Sequence, residues 1–98
     1  MNGNEKRMKL GLAWYRENQW ELLKKVSVDS AHLESTYREW EEYAIKLELD
    51  LLISGNAHER VDIDVNKLVE WCKSNNKPIN GESRSEYVAV LLKTGQFS

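Results

Sequence analysis

The sequence has few cysteines and prolines, the residues that cross-link small domains or interrupt their helices. It contains one cysteine, Cys72, and one proline, Pro78, in 98 residues. A single cysteine excludes an internal disulfide framework and is typical of a reducing compartment, so we expect the cytoplasm. No apolar run approaches the ~18 residues that a membrane-spanning helix requires. The polar residues 1–7 also lack the apolar core of a secretion signal, so we expect neither secretion nor a membrane partner.

Neither sign of charge dominates the chain. Fourteen basic and 16 acidic residues give a formal net charge of −2. This balance argues against nucleic acid as a partner, because phosphate binding normally shows as a basic excess. The weakest of our functional hypotheses, nucleic-acid binding through Lys24, Lys25 and Arg84, would require these three residues to form one basic face.

Residues that carry catalysis or bind metals are also sparse. The five glycines are isolated, so none begins a phosphate-binding loop, and no serine lies in a nucleophile elbow. Asp62 and Asp64 follow His58, but metal sites show denser ligand spacing, and we expect Asp62 in solvent and Asp64 as a helix cap. Cys72 falls on the buried face of a predicted helix, unlike a reactive thiol. We therefore predict no catalytic residue, metal or cofactor and favour a non-enzymatic protein.

Aromatic residues, by contrast, are plentiful, with four tryptophans and four tyrosines. The stretch from Thr36 to Gly55 is predicted to form the helix around which the rest of the chain packs. Thr36 and Glu39 have the spacing of a reciprocal helix start, and Gly55 suits a left-handed helix end. Between these ends, apolar residues recur at steps of three and four and predict one buried face. The residues of that face are Tyr37, Trp40, Tyr43, Ala44, Leu47, Leu51 and Leu52.

Two stretches of alternating apolar and polar residues predict strands at 8–15 and 58–65. Besides the helix after Thr36, capping and periodicity predict helices at 19–26, at about 65–75 and from Asn80 or Ser83 to Gly95. The order βααβαα predicts an α+β fold with two parallel strands joined by a right-handed crossover. We expect one compact domain at 8–95, a disordered tail at 1–7 and a short tail at 96–98.

A two-stranded parallel sheet is a weak structure, because its edges are unpaired and it buries little surface by itself. We therefore expect one of two arrangements. Either helices cover the sheet heavily, or a homodimer pairs strands across a two-fold axis.

Several short motifs resemble a family of small bacterial proteins with no assigned activity. The resemblance extends over nearly the whole chain and implies a natural, complete domain without supplying a mechanism. The motifs are Leu12-Ala13-Trp14-Tyr15-Arg16 followed by Trp20, Thr36-Tyr37-Arg38-Glu39-Trp40, Val61-Asp62-Ile63-Asp64 leading into Trp71-Cys72, and Asn80-Gly81-Glu82-Ser83-Arg84.

Two functional hypotheses follow. The favoured one is a protein-interaction or regulatory module that binds an unidentified protein, and its candidate surface residues are Glu41, Glu42, Glu48 and Trp71. The alternative is a small-ligand-binding protein or enzyme with a pocket at the strand ends, lined by Tyr15, Arg16 and Asp64. Trp14, Trp20 and Trp40 are expected in the core.

Overall fold

The computed structural model describes residues 9–95. The tails predicted at 1–7 and 96–98, and Met8 of the first predicted strand, lie outside these residues. Two strands and four α-helices follow the predicted order βααβαα, which confirms the α+β class. Single 3₁₀ turns occur at Glu17–Gln19 and Ser30–His32. The elements are β1 (Leu10–Trp14), α1 (Trp20–Val26), α2 (Tyr37–Ile53), β2 (His58–Asp62), α3 (Val65–Ser74) and α4 (Gly81–Thr94).

The two strands pair in parallel, as predicted, from Leu10 opposite His58 to Trp14 opposite Asp62. Both strands are shorter than their alternating patterns suggested. β2 stops at Asp62 because the chain turns at once into α3, whose first turn is capped by Asp64. The Asp64 carboxylate accepts a hydrogen bond from the Asn66 amide at 3.0 Å, which confirms the predicted cap.

The ends of the longer helices also match their sequence signals. The Thr36 hydroxyl accepts from the Glu39 amide at 3.2 Å, and the Glu39 carboxylate accepts from the Thr36 amide. At the other end of α2, Gly55 has φ +78° and its amide donates to Leu52. Asn80, rather than Ser83, caps α4, and the two side chains bond each other's backbone amides.

The two faces of the sheet are covered by different helices. On one face Gly11 lies under α4 so closely that a Cβ atom there would be 2.8 Å from Val88 Cγ1. On the other face Trp14 meets Trp40 of α2, with ring centroids 5.2 Å apart. α1 and α3 extend the core beyond the sheet. The buried apolar residues are Tyr15, Trp20, Leu23, Trp40, Ala44, Val61, Ile63, Val65, Leu68, Cys72, Tyr87, Val88 and Leu91.

The predicted buried face of α2 holds for Trp40 and Ala44 but fails further along the helix. Tyr43, Leu47 and Leu52 are exposed. For Leu52 the reason is length: 17 helical residues span ~26 Å, whereas each five-residue strand spans ~17 Å. Tyr43 and Leu47 instead lie beside β1, at the edge that no strand within residues 9–95 pairs. Glu48 already contacts Arg60 in the middle of β2, so the last turns of α2 extend past the sheet. None of the helices within residues 9–95 combines the length and hydropathy that crossing a bilayer requires.

Candidate functional site

The outer edge of β1 presents backbone groups that the sheet does not use. The Leu10 amide donates to Ala57 and the Trp14 carbonyl accepts from Ile63, so even-numbered residues of β1 face β2. In a parallel ladder the intervening residues point the other way, which directs the N–H and C=O of Gly11 and Ala13 outward. Within residues 9–95 no strand lies on that side.

A groove runs along this edge between α2 and α4. The larger of two cavities has a volume of about 520 Å³, and a smaller one of about 130 Å³ continues between β1 and α2. Both cavities contact Gly11, Ala13, Trp40 and Tyr43, so we treat them as one feature, the β1 groove. Its other lining residues are Leu12, Trp14, Tyr15, Leu33, Ala44, Leu47, Gly81, Arg84, Ser85 and Val88.

The groove ends at a buried polar cluster. Tyr15 is 7% exposed, and burial raises the pKa of its hydroxyl to about 12 against the opposing charge of Arg84. Arg84 donates to both oxygens of Asp29, at 2.8 and 2.9 Å, and to the Ser27 hydroxyl at 3.1 Å. These bonds from Arg84 hold the pKa of Asp29 below its ordinary value. Among the described residues that line the groove, the one charged side chain is therefore paired with a carboxylate beside it.

The outer edge of β2 is different in character. Four of its five residues, in the sequence His-Glu-Arg-Val-Asp, are ionisable, whereas β1 reads Leu-Gly-Leu-Ala-Trp. Arg60 donates to both Glu48 oxygens at 2.6 and 2.8 Å and lies 3.6 Å from the centre of a Trp14 ring. Charged residues on an edge strand discourage further strand pairing. β1 lacks that protection.

The predicted partner surface is divided between two helices, because Glu41, Glu42 and Glu48 lie on α2 and Trp71 lies on α3. Glu48 bonds Arg60, which lowers the pKa of its carboxyl, and Glu42 lies 3.6 Å from Arg38. Glu41 is half-buried on the same helix. Trp71 packs against Tyr87 of α4, with ring centroids 5.4 Å apart, on the other side of the sheet from α2. The role of this surface stays a prediction.

The predicted strand-end pocket is brought together only in part. Arg16 bonds Asp62 at 2.6 Å and lies 3.9 Å from Asp64, so these charges meet at the exposed ends of the strands. Burial raises the pKa of the Asp64 carboxyl, but hydrogen bonds from Gln19, Asn66 and Lys67 and the charge of Arg16 outweigh it and lower the pKa. Tyr15 instead lines the β1 groove with Arg84.

Two of the three basic residues of the nucleic-acid hypothesis have internal acceptors. Lys24 donates to the Ser35 carbonyl at 2.7 Å, and Arg84 is held by Asp29. Lys25 is exposed on α1. In the part of the chain that the structure describes, no three His, Cys, Asp or Glu side chains are placed to hold a metal ion.

Two features escaped the sequence reasoning. The first is the β1 groove, which brings together residues far apart in the chain. The absence of charged residues from 10–14 was a signal in the sequence that this strand lacks a charged edge. The second is a stripe of exposed apolar residues on the outer side of α2, at spacings of four, three and one. This stripe consists of Ile45, Leu49, Leu52 and Ile53. The helical pattern in the sequence did not predict any of these four residues on the solvent-facing side of α2.

Comparison with known proteins adds a family and no activity. No curated protein and no solved structure matches the chain. A family model whose description is Protein of unknown function (DUF3912) matches residues 9–78, which include both strands and the first three helices. Because this match extends over more than half of the sequence, the chain belongs to the DUF3912 family, as the resemblance of its motifs predicted.

Proposed function

We propose that this chain is a non-enzymatic protein-interaction module that binds an extended polypeptide strand in the β1 groove. The observation that carries the proposal is the outward-facing backbone of Gly11 and Ala13 at the floor of an apolar groove. Strand addition uses these two components: main-chain bonds supply affinity, and neighbouring pockets select side chains. We also propose a bacterial cytoplasmic location, which a single buried cysteine and the family resemblance support.

The walls of the groove suit an added strand. Trp40 and Tyr43 of α2 lie on one side and Ser85 and Val88 of α4 on the other, so an incoming strand meets a helix above and below. Because side chains of a strand alternate between faces, its odd and even residues would contact different helices. The strand would gain two hydrogen bonds at each of Gly11 and Ala13.

The test is a random peptide library on phage, selected against the immobilised chain and followed by NMR with the selected peptides. We expect the peptides to perturb the backbone amides of Gly11 and Ala13. Ala13→Pro removes one outward N–H and leaves the β1–β2 ladder intact. It should weaken binding about tenfold, because an unpaired partner costs ~1–3 kcal/mol and 1.4 kcal/mol is a factor of ten.

His58→Pro is the matched control, because His58 points its N–H to the outer edge of β2. This variant should bind the selected peptides as the wild type does. Peptides that perturb other amides, or that bind Ala13→Pro with undiminished affinity, would reject the β1 groove as the binding site.

A further inference from the structure

We infer that the strand bound in the β1 groove is β1 of a second copy of this chain, so that two copies share a four-stranded sheet. The inference rests on the proposed strand-binding function and names its partner. Helices already cover both faces of the sheet, and a second β1 would pair the backbone of the edge that no strand within residues 9–95 pairs.

Charge favours the chain's own strand as the occupant. Most of the described residues that line the β1 groove are apolar or small, and the one charged side chain among them, Arg84, is paired with Asp29 at 2.8 Å. A neutral groove binds charged side chains poorly, because they would lose hydration without gaining a partner. Of the two strands that the structure describes, only β1 is free of ionisable side chains.

The register of the pair follows from the direction of the backbone groups. Symmetric dimers bring the same surface of each copy together, which pairs two β1 strands in antiparallel orientation. Gly11 and Ala13 both point outward, so Gly11 of each copy bonds Ala13 of the other. The two-fold axis then passes between the two copies of Leu12, which form a pair without mutual hydrogen bonds.

This register covers apolar residues that one copy leaves in water. Leu10 is 46% exposed and would lie opposite the second copy's Trp14. Tyr43, 59% exposed, and Leu47 project from α2 toward the groove and would approach the second copy's α2. A stable interface buries roughly 800 Å² on each partner, and a strand edge needs such flanking side chains to reach that area.

On the opposite face, the second copy's α4 would lie beside α4. α4 lies directly over β1, so the two copies of α4 would approach each other closely across the axis. Helices with large side chains need ~8–10 Å between axes. The residues of α4 that line the groove include the small, exposed Gly81 and Ser85 beside the larger Arg84 and Val88, and the exposed Ala89 follows one turn after Ser85.

Light scattering coupled to size-exclusion chromatography tests the inference on the full chain. The wild type should have twice the 11.5 kDa mass of one chain. Tyr43→Lys and Ala13→Pro should return the mass to 11.5 kDa while circular dichroism stays that of a folded protein. The matched control is Leu49→Lys, on the same helix and 52% exposed but outside the groove, which should stay dimeric.

Cysteine cross-linking tests the register, in a Cys72→Ala background. Across the axis the Cα atoms of residue 12 should be ~4.5 Å apart, within the range for a disulfide, so Leu12→Cys should form a covalent dimer on oxidation. Leu10→Cys should not, because its two copies would lie four residues apart along the strands, or ~14 Å.

A mass of 11.5 kDa at every concentration would overturn the inference. So would a dimer that survives Tyr43→Lys, or one that Leu49→Lys dissociates, because its interface would then lie elsewhere. Efficient cross-linking through Leu10→Cys but not Leu12→Cys would overturn the register. In each case, selected peptides that still perturb the Gly11 amide would leave the strand-binding function standing, so the two proposals fail separately.

Discussion

Replacing Trp40 with alanine should remove a large part of the free energy of unfolding. Trp40 is 8% exposed, and its ring centroid lies 5.2 Å from Trp14, 5.3 Å from Tyr15, 5.6 Å from Trp20 and 5.3 Å from Tyr37. Truncating a buried tryptophan costs ~3–5 kcal/mol. A domain of this size has about 5–15 kcal/mol in total, so the variant should be marginally folded.

Urea unfolding followed by circular dichroism measures this loss. With an m value of ~2 kcal/mol per molar, a loss of ~4 kcal/mol lowers the midpoint by about 2 M. Protein concentration must be the same for both proteins, because association stabilises the folded state. Trp71→Ala is the control: Trp71 is half-buried and has one ring contact, with Tyr87. A loss below ~1 kcal/mol at Trp40, or equal losses at both positions, would refute the aromatic cluster as the centre of the core.

Three further changes test other parts of the structure. Gly11→Ala should destabilise the fold by ~1–3 kcal/mol, because its Cβ would lie 2.8 Å from Val88 Cγ1. In a double-mutant cycle with Val88→Ala, the losses in free energy of unfolding should then be less than additive. Additive losses would contradict the predicted clash. Asp29→Asn should make the free energy of unfolding depend less strongly on pH in the acidic range. Arg84 lowers the pKa of Asp29 in the folded state, so this stabilisation is full above the ordinary pKa of ~3.9 and is lost as pH falls through the lower folded value. Urea midpoints measured at a series of acidic pH values test this prediction. Parallel profiles of midpoint against pH for the wild type and Asp29→Asn would reject it. Gly55→Ala should cost ~1 kcal/mol in thermal unfolding, because Gly55 has φ +78°. An unchanged melting temperature would show that α2 ends by another geometry.

The elements of the fold were predictable because their signals are local. Thr36 and Asp64 cap helices through residues two or three positions away, and Gly55 ends α2 within its own turn. The parallel pairing followed from the length of the connection between the strands. The choice between Asn80 and Ser83 as the cap of α4 remained open, because the sequence supports both and the observed cap uses both side chains reciprocally.

The candidate site was not predictable in the same way. Arg84 reaches Asp29 across 55 positions of the sequence, and Tyr15 meets Arg84 only after α4 has packed over β1. Leu47 satisfies the helical period of the buried face and is nevertheless exposed, because periodicity does not tell where the sheet beneath a helix ends. Sequence reasoning paired Tyr15 with Arg16 from their adjacency, whereas Tyr15 lines the groove with Arg84 and Arg16 bonds Asp62 at the strand ends.

The contrast between the two sheet edges gives the strand-binding proposal its physical basis. An uncharged edge strand left in water is a template for indiscriminate pairing, and proteins normally protect such edges with charge, proline or cover. β2 has that protection through Arg60 and its bonds to Glu48, while the described side chains that overhang the edge of β1 include the exposed Tyr43 and Leu47. Those two side chains are themselves apolar and exposed, so they extend the unprotected surface. A specific strand in the β1 groove would pair with the backbone of Gly11 and Ala13 and cover both side chains in one step.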